Sequence, residues 1–450
     1  MLLTIEEITS EIIDKRGVTV KKLGGDFVEN GHRVISAKLI KNSKIDLNAG
    51  EERFVNKEIY KKWMSSKLMQ GDVILTSEAP LGKVAYVQED LDWCLGQRLF
   101  CLRPNTEILD GRYLFYSLKT RKVQADLESR GTGTTVLGIK QSELLKVQIP
   151  VQDIEVQKRI SALLGRLDNK IELNQKMNET LEEIAKTLFK SWFIDFDPVR
   201  AKAEGRPTGL SKEISDLFPD SFEDSELSEI PKGWTVTQLD NVADFQNGYT
   251  FSSKEYELPT QDSKEVFRMG YIKRGGGFKE DNTPVFVPIS SKGNQQRYML
   301  CKDDLTISMT DMKNNMQILG CCALVEEDER FLLNQRVGRI RVKECFHIGP
   351  HYLYIYMNYP KNIDLLRSRS NSGVQVNLST STIKETKIVL PTKKLSQYFS
   401  DITKPIYSKI SLNNIESKNL KKIIDILLPK LISGELQIPE AENLIKEVGI

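Results

Sequence analysis

One long pattern occurs twice in this chain, and that repeat limits the possible folds more than any other feature. The string KIELN begins at Lys170, and KISLN begins at Lys409. Around each string a residue recurs every seventh position, with a companion four residues later. These positions are Ile160, Leu164, Leu167, Ile171, Asn174, Asn178, Leu181, Ala185, Leu188 and Trp192 in the first copy, and Phe399, Thr403, Ile406, Ile410, Asn413, Ser417, Leu420, Ile424, Leu427 and Leu431 in the second. Such heptads predict two helices, each about 50 Å long with one mainly apolar seam.

Both seams are polar near their middle. A polar residue in such a seam lowers stability but fixes the register of paired helices. We therefore predict that the helices pair and that their register is set by Asn174, Asn178, Asn413 and Ser417. The pattern leaves the direction of pairing open. Gly165 and Pro405 lie near the start of each helix, where we expect a short break.

The similarity extends into the segment before each helix. LGQRLFCLRP (95–104) matches LNQRVGRIRV (333–342), and GDVILTS (71–77) matches DDLTISM (303–309). Short β-rich runs between turn residues predict an α+β unit used twice. The predicted parts are a first β-rich domain (1–152), a central long helix (153–195), a linker (196–232), a second β-rich domain (233–392), a C-terminal long helix (393–436) and a tail (437–450).

Composition excludes several classes of protein. The 450 residues carry a net charge of +2, so a nucleic-acid surface would need local clustering of Lys and Arg. The six cysteines show no C-x-x-C spacing, and Cys345 with His347 and His351 lacks an evident fourth ligand, so we expect no metal site. Without a signal peptide or a long apolar run, we expect a cytoplasmic protein with no membrane partner.

The linker points to a family. FDPVRAKAEGRPTG and LFPDSFEDSELSEIPKGW, within about residues 190–236, resemble the linker of type I restriction–modification specificity subunits. The resemblance implies two target recognition domains, here called the first reader (1–152) and the second reader (233–392). It implies an antiparallel coiled coil with pseudo-twofold symmetry. It also implies partners: double-stranded DNA, two methylation subunits, and restriction/translocation subunits. S-adenosylmethionine and ATP would be bound by those partners, and this chain would hold no cofactor or catalytic centre.

Polar and basic loop residues are the candidate DNA contacts, because Arg can pair with guanine, Asn or Gln with adenine, and Lys or Arg with phosphate. In the first reader they are Arg33, Lys38, Lys41, Asn42, Thr76, Ser77, Gln97, Arg98, Arg130, Thr132, Thr134 and Thr135. In the second they are Arg268, Lys273, Arg274, Thr310, Lys313, Asn314, Gln335, Arg336, Arg367, Arg369, Asn371 and Gln375. The Gln-Arg pair recurs in both readers, so we expect it to serve a shared purpose such as phosphate contact or internal structure. RGGGFKEDN and TDMKNNMQ are better candidates for reading bases.

Two other classes compete with this interpretation. A helical scaffold with no role on DNA would explain the long helices but not the two loop-rich domains. A reader fused to a methyltransferase or nuclease would need a catalytic domain, and the chain contains no N-P-P-Y, nucleotide-binding G-x-G-x-x-G or Walker motif. We therefore expect a non-catalytic subunit.

Overall fold

The structure, a computed structural model, describes residues 1–47, 49–133, 135–280, 283–289, 295–312, 316–344, 346–371, 373 and 375–447. The chain divides into two compact units. Unit 1 comprises Met1–Asn174 and Ile415–Ile450, and unit 2 comprises Gln175–Asn414. Each unit thus contains one reader and one half of each long helix.

Unit 1 is built from short strands and helices. Its strands are Leu2–Thr4, Thr9–Asp14, His32–Ile35, Ile40–Lys41, Lys44–Ile45, Phe54–Val55, Val73–Thr76, Val84–Tyr86, Cys94–Leu95, Leu99–Pro104 and Gln148–Pro150. Its short helices are Ile5–Ile8, Lys21–Leu23, Ala37–Leu39, Lys57–Trp63, Gly111–Lys119, Arg121–Ser129, Gln141–Leu144 and Ile438–Glu447.

Unit 2 has the same character. Its strands are Phe222–Asp224, Glu229–Pro231, Thr235–Gln238, Ala243–Asn247, Ser263–Phe267, Phe286–Pro288, Leu305–Ser308, Thr310–Met312, Cys322–Leu324, Phe331–Leu333, Val337–Val342, Gln375–Asn377 and Lys387–Leu390. Its short helices are Asp197–Ala203, Lys212–Ser215, Leu239–Val242, Ser253–Glu255, Met269–Tyr271, Gln295–Tyr298, Pro350–Met357, Pro360–Ser368 and Thr380–Lys384. The two long helices, Ile154–Phe193 and Lys393–Ser433, each contribute to both units.

The two readers share one topology. Each has a four-stranded antiparallel sheet. An early strand lies at one edge, the strand after the Gln-Arg pair lies next to it, and the last two strands in the order form a hairpin. The order is Thr9–Asp14, Leu99–Pro104, Val73–Thr76, Val84–Tyr86 in unit 1, and Ala243–Asn247, Val337–Val342, Leu305–Ser308, Cys322–Leu324 in unit 2. Each reader also has a three-stranded sheet with one parallel pair. The predicted α+β duplication is therefore confirmed.

The first reader begins without a P-x-G-W sequence, yet its edge is built like that of the second. Leu2–Thr4 pairs antiparallel with Gln148–Pro150, the strand before the first long helix. In unit 2, Thr235–Gln238 pairs in the same way with Lys387–Leu390. Each ladder closes its reader immediately before a long helix starts.

The long helices pair antiparallel in each unit. In unit 1, Asn174 contacts Ser417, whereas Gln152, just before the first long helix, contacts the carbonyl oxygens of Leu431 and Ile432. In unit 2, Asn178 contacts Asn413, and the Phe189 and Phe399 rings lie 5.8 Å apart. In each unit, residue numbers rise along one helix where they fall along the other, so the helices run in opposite directions. Apolar seam residues from both helices join the hydrophobic core of their unit.

Neither long helix is broken, which corrects the expectation at Gly165 and Pro405. A Cβ on Gly165 would lie 2.5 Å from Nη1 of Arg112, so the glycine makes room for a neighbouring side chain. Pro405 removes one helix hydrogen bond, but Thr403 and Tyr407 on either side are buried. Their packing keeps the helix continuous through the proline.

Two segments that the sequence described only as a linker and a tail contain regular structure. The linker includes the helices Asp197–Ala203 and Lys212–Ser215. The tail contains the helix Ile438–Glu447, whose residues Ile438, Ala441 and Ile445 are buried in the unit 1 core. The tail therefore stabilises unit 1.

Candidate nucleic-acid interface

Three of the predicted segments of the first reader meet at a surface cleft of about 310 Å³. The predicted residues among those lining it are Ser77, Gln97, Arg98 and Thr132. Arg16 and Lys140 also line the cleft, and neither was predicted because no repeated motif of the two readers contains them. The cleft thus gathers basic and amide side chains that are far apart in the chain.

The turn that carries Gln97 and Arg98 is held by backbone contacts. Arg98 has a left-handed backbone with φ of 67°, and its carbonyl oxygen accepts a hydrogen bond from the Ser77 amide at 2.9 Å. The Arg98 side chain is exposed and forms an ion pair with Glu78 at 2.9 Å. Because both groups of this pair are exposed, water or a phosphate can replace the carboxylate at small cost.

The second reader repeats this turn. The Met309 amide donates to the carbonyl oxygen of Arg336 at 3.1 Å, and Gln335 and Arg336 are exposed. A Cβ on Gly248 would lie 1.9 Å from the Asn334 carbonyl oxygen, so only glycine allows the strand to approach the turn this closely. Both Gln-Arg pairs therefore lie on turns held by the same backbone hydrogen bond, although Arg98 alone of the two arginines has a left-handed backbone.

Beside the Gln335 turn, the second reader has an additional two-stranded ladder. Thr310–Met312 pairs with Gln375–Asn377, and the Asn377 amide donates to Oδ1 of Asn371 at 2.8 Å. Arg369, Asn371 and Gln375 are exposed there. In the first reader, isolated bridges join Gly138 to Glu78 and Thr132 instead. The side chains next to the shared turn therefore differ between the readers.

Three candidate residues are buried, and their side chains support the loops. Thr76 donates to the Pro80 carbonyl oxygen at 2.6 Å and accepts from the Lys83 amide at 2.9 Å. Thr310 donates to Oδ1 of Asn377 at 2.8 Å. Ser77 is 2% exposed. Thr76 ends a buried strand, Ser77 follows it and Thr310 begins a strand. Their burial favours a role in loop support, and DNA contact by them stays a prediction.

Four candidate arginines are half-buried and bound within the protein. Arg33 pairs with Glu52 at 2.5 Å, and Arg130 pairs with Asp126 at 2.8 Å. Arg367 donates to the Leu319 carbonyl oxygen at 3.1 Å, and Arg268 donates to the Thr283 carbonyl oxygen. A DNA contact by any of them would require replacing these partners.

The remaining described candidates of the first reader are exposed: Lys38, Lys41, Asn42 and Thr135. Lys41 and Asn42 lie on or beside a hairpin formed by Ile40–Lys41 and Lys44–Ile45. Thr134, Lys313 and Asn314 lie outside the described residues, as does the central part of TDMKNNMQ. DNA contact by all these residues stays a prediction.

The segment that begins RGGGF packs on its own reader. A Cβ on Gly276 would lie 2.3 Å from Oδ1 of Asn358, and the Gly277 amide donates to the Cys322 carbonyl oxygen at 2.8 Å. Lys273 is exposed and lines a cavity beside the long helices of unit 2, and DNA contact by it stays a prediction. Arg274 is exposed, and base reading by it stays a prediction.

The four polar seam residues form hydrogen bonds within their own units. In unit 1, Asn174 Nδ2 donates to Glu416 Oε2 at 2.8 Å and to Ser417 Oγ at 3.3 Å. In unit 2, Asn413 Nδ2 donates to Asn178 Oδ1 at 2.8 Å. Asn174 and Asn413 are each 1% exposed. Buried amides with specific partners favour one register, and that role remains to be tested.

A buried ion pair recurs at the same place in both readers. Asp72 is bound by Arg103 through two hydrogen bonds of 3.0 and 2.8 Å. Asp304 is bound by Arg341 through two of 2.6 and 2.7 Å. Both carboxylates are 1% exposed. The aligned stretches GDVILTS with DDLTISM, and LGQRLFCLRP with LNQRVGRIRV, contain these residues, so a column-by-column comparison of the copies could have found them.

Two kinds of feature are absent from the described part of the chain. No group of three or more His, Cys, Asp or Glu side chains there is arranged to hold a metal ion. No described helix is long and apolar enough to cross a membrane.

The fold and these loops define a duplicated protein with two equivalent polar turns, each on a β-rich domain joined to an antiparallel helix pair. The chain belongs to the type I restriction modification DNA specificity domain family, whose model matches residues 6–183 and 231–422. It is 27% identical over 427 residues to the type I restriction enzyme HindI specificity subunit of Haemophilus influenzae, covering 82% of this chain and 87% of that protein. It is 27% identical over 392 residues to the MjaIX specificity subunit of Methanocaldococcus jannaschii, covering 86% of this chain and 83% of that protein.

A solved structure has the same fold. The crystal structure of the type I restriction–modification S subunit from M. genitalium aligns with a TM-score of 0.55 and 15% identity, covering 96% of this chain and 95% of that one. The family model confirms the family that the linker sequence indicated.

Proposed function

We propose that this chain is the DNA specificity subunit of a type I restriction–modification complex and that each reader contacts one half of a bipartite target. The observation that carries the proposal is the duplicated turn: Gln97-Arg98 and Gln335-Arg336 are exposed, and the same backbone hydrogen bond holds each turn. Family membership of both halves supports it. A helical scaffold would not need two such turns.

Residues that the two readers share suit contact with phosphates, and residues that differ between them suit contact with bases. Phosphates are the same in every DNA sequence, so residues common to both readers suit phosphate contact. Bases differ between half-sites, so residues that differ suit base reading. Arg98 and Arg336 belong to the first group. Thr132 and Thr135 in the first reader, and the Arg369–Gln375 segment in the second, belong to the second group.

The repeated string KIxLN also supports docking of two methylation subunits on the helices. Its isoleucine and asparagine are buried in each unit because they lie in the seam between the helices. Its leucines are not: Leu173 is 53% exposed and Leu412 is 60% exposed. The same exposed leucine in each copy fits two copies of one partner with an apolar contact surface. Restriction/translocation subunits would complete the complex, and S-adenosylmethionine and ATP would be bound by the partner subunits.

The test is reconstitution with a methylation subunit of the same system. The complex should methylate DNA at a bipartite sequence, with binding that weakens as salt rises. Purified chain alone should transfer no methyl groups. Methylation by the chain alone would favour a fused enzyme, and sequence-independent methylation by the complex would favour a scaffold.

A further inference from the structure

A small cavity of about 100 Å³ lies within unit 2, where the second reader meets the long helices. The helices contribute Asn178, Glu182, Lys404 and Asn414, and the reader contributes Lys273, Lys302, Asp303, Glu326 and His351. Glu326 follows the edge strand Cys322–Leu324 of the four-stranded sheet. The carboxylate thus extends from the sheet of the reader towards the helix pair.

A continuous chain of hydrogen bonds links this carboxylate to the buried seam. Asn413 Nδ2 donates to Asn178 Oδ1 at 2.8 Å. Asn178 Nδ2 donates to Asn414 Oδ1 at 2.8 Å. Asn414 Nδ2 donates to Glu326 Oε1 at 2.7 Å. Three amides therefore run head to tail from the helix seam to the reader.

The direction of this chain is fixed by its last member. Glu326 offers only acceptors when ionised, so Asn414 must present its amide nitrogen to it. That leaves the Asn414 oxygen for Asn178, and the Asn178 oxygen for Asn413. Turning the amide of Asn178 or Asn414 would break its bonds on both sides. Glu326 is half-buried, and this burial raises the pKa of its carboxyl group to about 7.

The first reader is attached differently. Lys44, on its hairpin, pairs with Glu172 of the first long helix at 2.8 Å, and the side chains are 43% and 26% exposed. An ion pair with this exposure contributes little to stability and allows movement. The first reader also contacts the first long helix through the Tyr116 hydroxyl, which donates to Asp168 Oδ2 at 2.6 Å. The contact of the second reader differs because it continues into the polar seam.

We propose that Glu326 is a positioning residue that fixes the pose of the second reader on the helices by extending the seam's hydrogen-bond chain into the reader. This inference rests on the proposed function for its consequence on DNA: a fixed pose gives one preferred gap between half-sites. Asn178 then acts in two ways, since it sets helix register and transmits that register to the reader.

The experiment uses the full complex and duplexes whose gap varies one base pair at a time. The measured quantity is the methylation rate at the best gap divided by the rate at one base pair more or less. Glu326→Ala and Asn414→Ala should each lower this ratio by about tenfold, as expected for loss of one hydrogen bond to a buried charged group. Glu326→Gln keeps an acceptor oxygen and should retain the ratio. Glu344→Ala, an exposed change in the same reader, is the matched control.

The double variant decides whether the two residues act through one chain. If they do, the double variant Glu326→Ala with Asn414→Ala should lower the ratio of methylation rates no more than either single change does. An unchanged ratio in folded Glu326→Ala, or effects that multiply in the double variant, would overturn the proposal. If Glu326→Ala fails to fold, Glu326→Asp, shorter by one methylene, replaces it with the same expectation.

A second measurement separates failure of this proposal from failure of the proposed function. Urea unfolding of the full chain, without partners or DNA, should show coupling between the Glu326→Ala and Asn414→Ala changes. If the unaltered complex has no gap preference, the proposed function fails. The unfolding measurements on the single and double variants still decide whether the attachment exists. Independent effects on unfolding would overturn the attachment itself.

Discussion

An ion pair with a buried carboxylate occurs at the same place in both readers. Removing its arginine in one reader tests whether the pair stabilises that reader alone. Arg341→Met would leave the Asp304 carboxylate, 1% exposed, without its bidentate partner. Removing one member of a buried pair costs about 3–5 kcal/mol because the remaining charge is uncompensated. Each 1.4 kcal/mol is tenfold in an equilibrium constant. The Arg341 side chain is 40% exposed, so water can partly replace it and the lower end of this range applies. Amide exchange in Leu305–Ser308, the strand that follows Asp304, should therefore accelerate by about 100-fold.

The assay is hydrogen exchange followed by mass spectrometry, which reports each reader separately. Arg341→Met should accelerate exchange in Leu305–Ser308 and leave Val73–Thr76 unchanged. Arg103→Met should do the reverse, with a larger effect because Arg103 also binds Glu11. The exposed Arg336→Met is the control. If Arg341→Met left exchange in Leu305–Ser308 within twofold of the unaltered chain, the pair would not hold the reader together.

Three further predictions concern charge and partners. Arg98→Ala and Arg336→Ala should each weaken binding of the complex to all duplexes alike and lower the slope of log affinity against log salt by about one; a loss confined to the matched duplex would indicate base reading. For Glu326, folding raises the carboxyl pKa from 4.5 to about 7, so its contribution to stability is present below pH 4.5 and is lost as pH rises through 7. Glu326→Gln should thus match the unaltered chain at pH 4 and exceed it at pH 9 by at most about 3 kcal/mol in urea unfolding, whereas a constant difference across pH would contradict the shift. Leu173→Glu should lower the number of methylation subunits bound per chain from two to one by native mass spectrometry; retention of two would place docking elsewhere.

Sequence reasoning predicted the parts of the fold that depend on periodicity and repetition. The heptads gave the long helices, and the aligned stretches around the two Gln-Arg pairs gave two readers with the same sheet order. Direction of pairing could not follow from the heptads, because the asparagines at the seam centre would align either way. A break was expected at Pro405 because proline removes a helix hydrogen bond. The packing of the buried residues around Pro405 keeps the helix continuous instead.

The candidate interface was harder to predict from sequence. Thr76 and Thr310 follow the pattern of exposed turn residues, but the structure buries both beside strand ends. Arg16 and Lys140 became visible only when folding brought them to one cleft. Glu326 was missed since its partner Asn414 is distant in the chain, and no local pattern joins a strand end to a helix seam.

The central claim is that the two readers act independently on the two halves of one target. The most direct test replaces residues 1–152 with the first reader of another specificity subunit and maps methylated bases across a genome. If the readers act independently, one half-site should change while the other half-site and the gap are retained. A change in both half-sites, or retention of both, would contradict that claim.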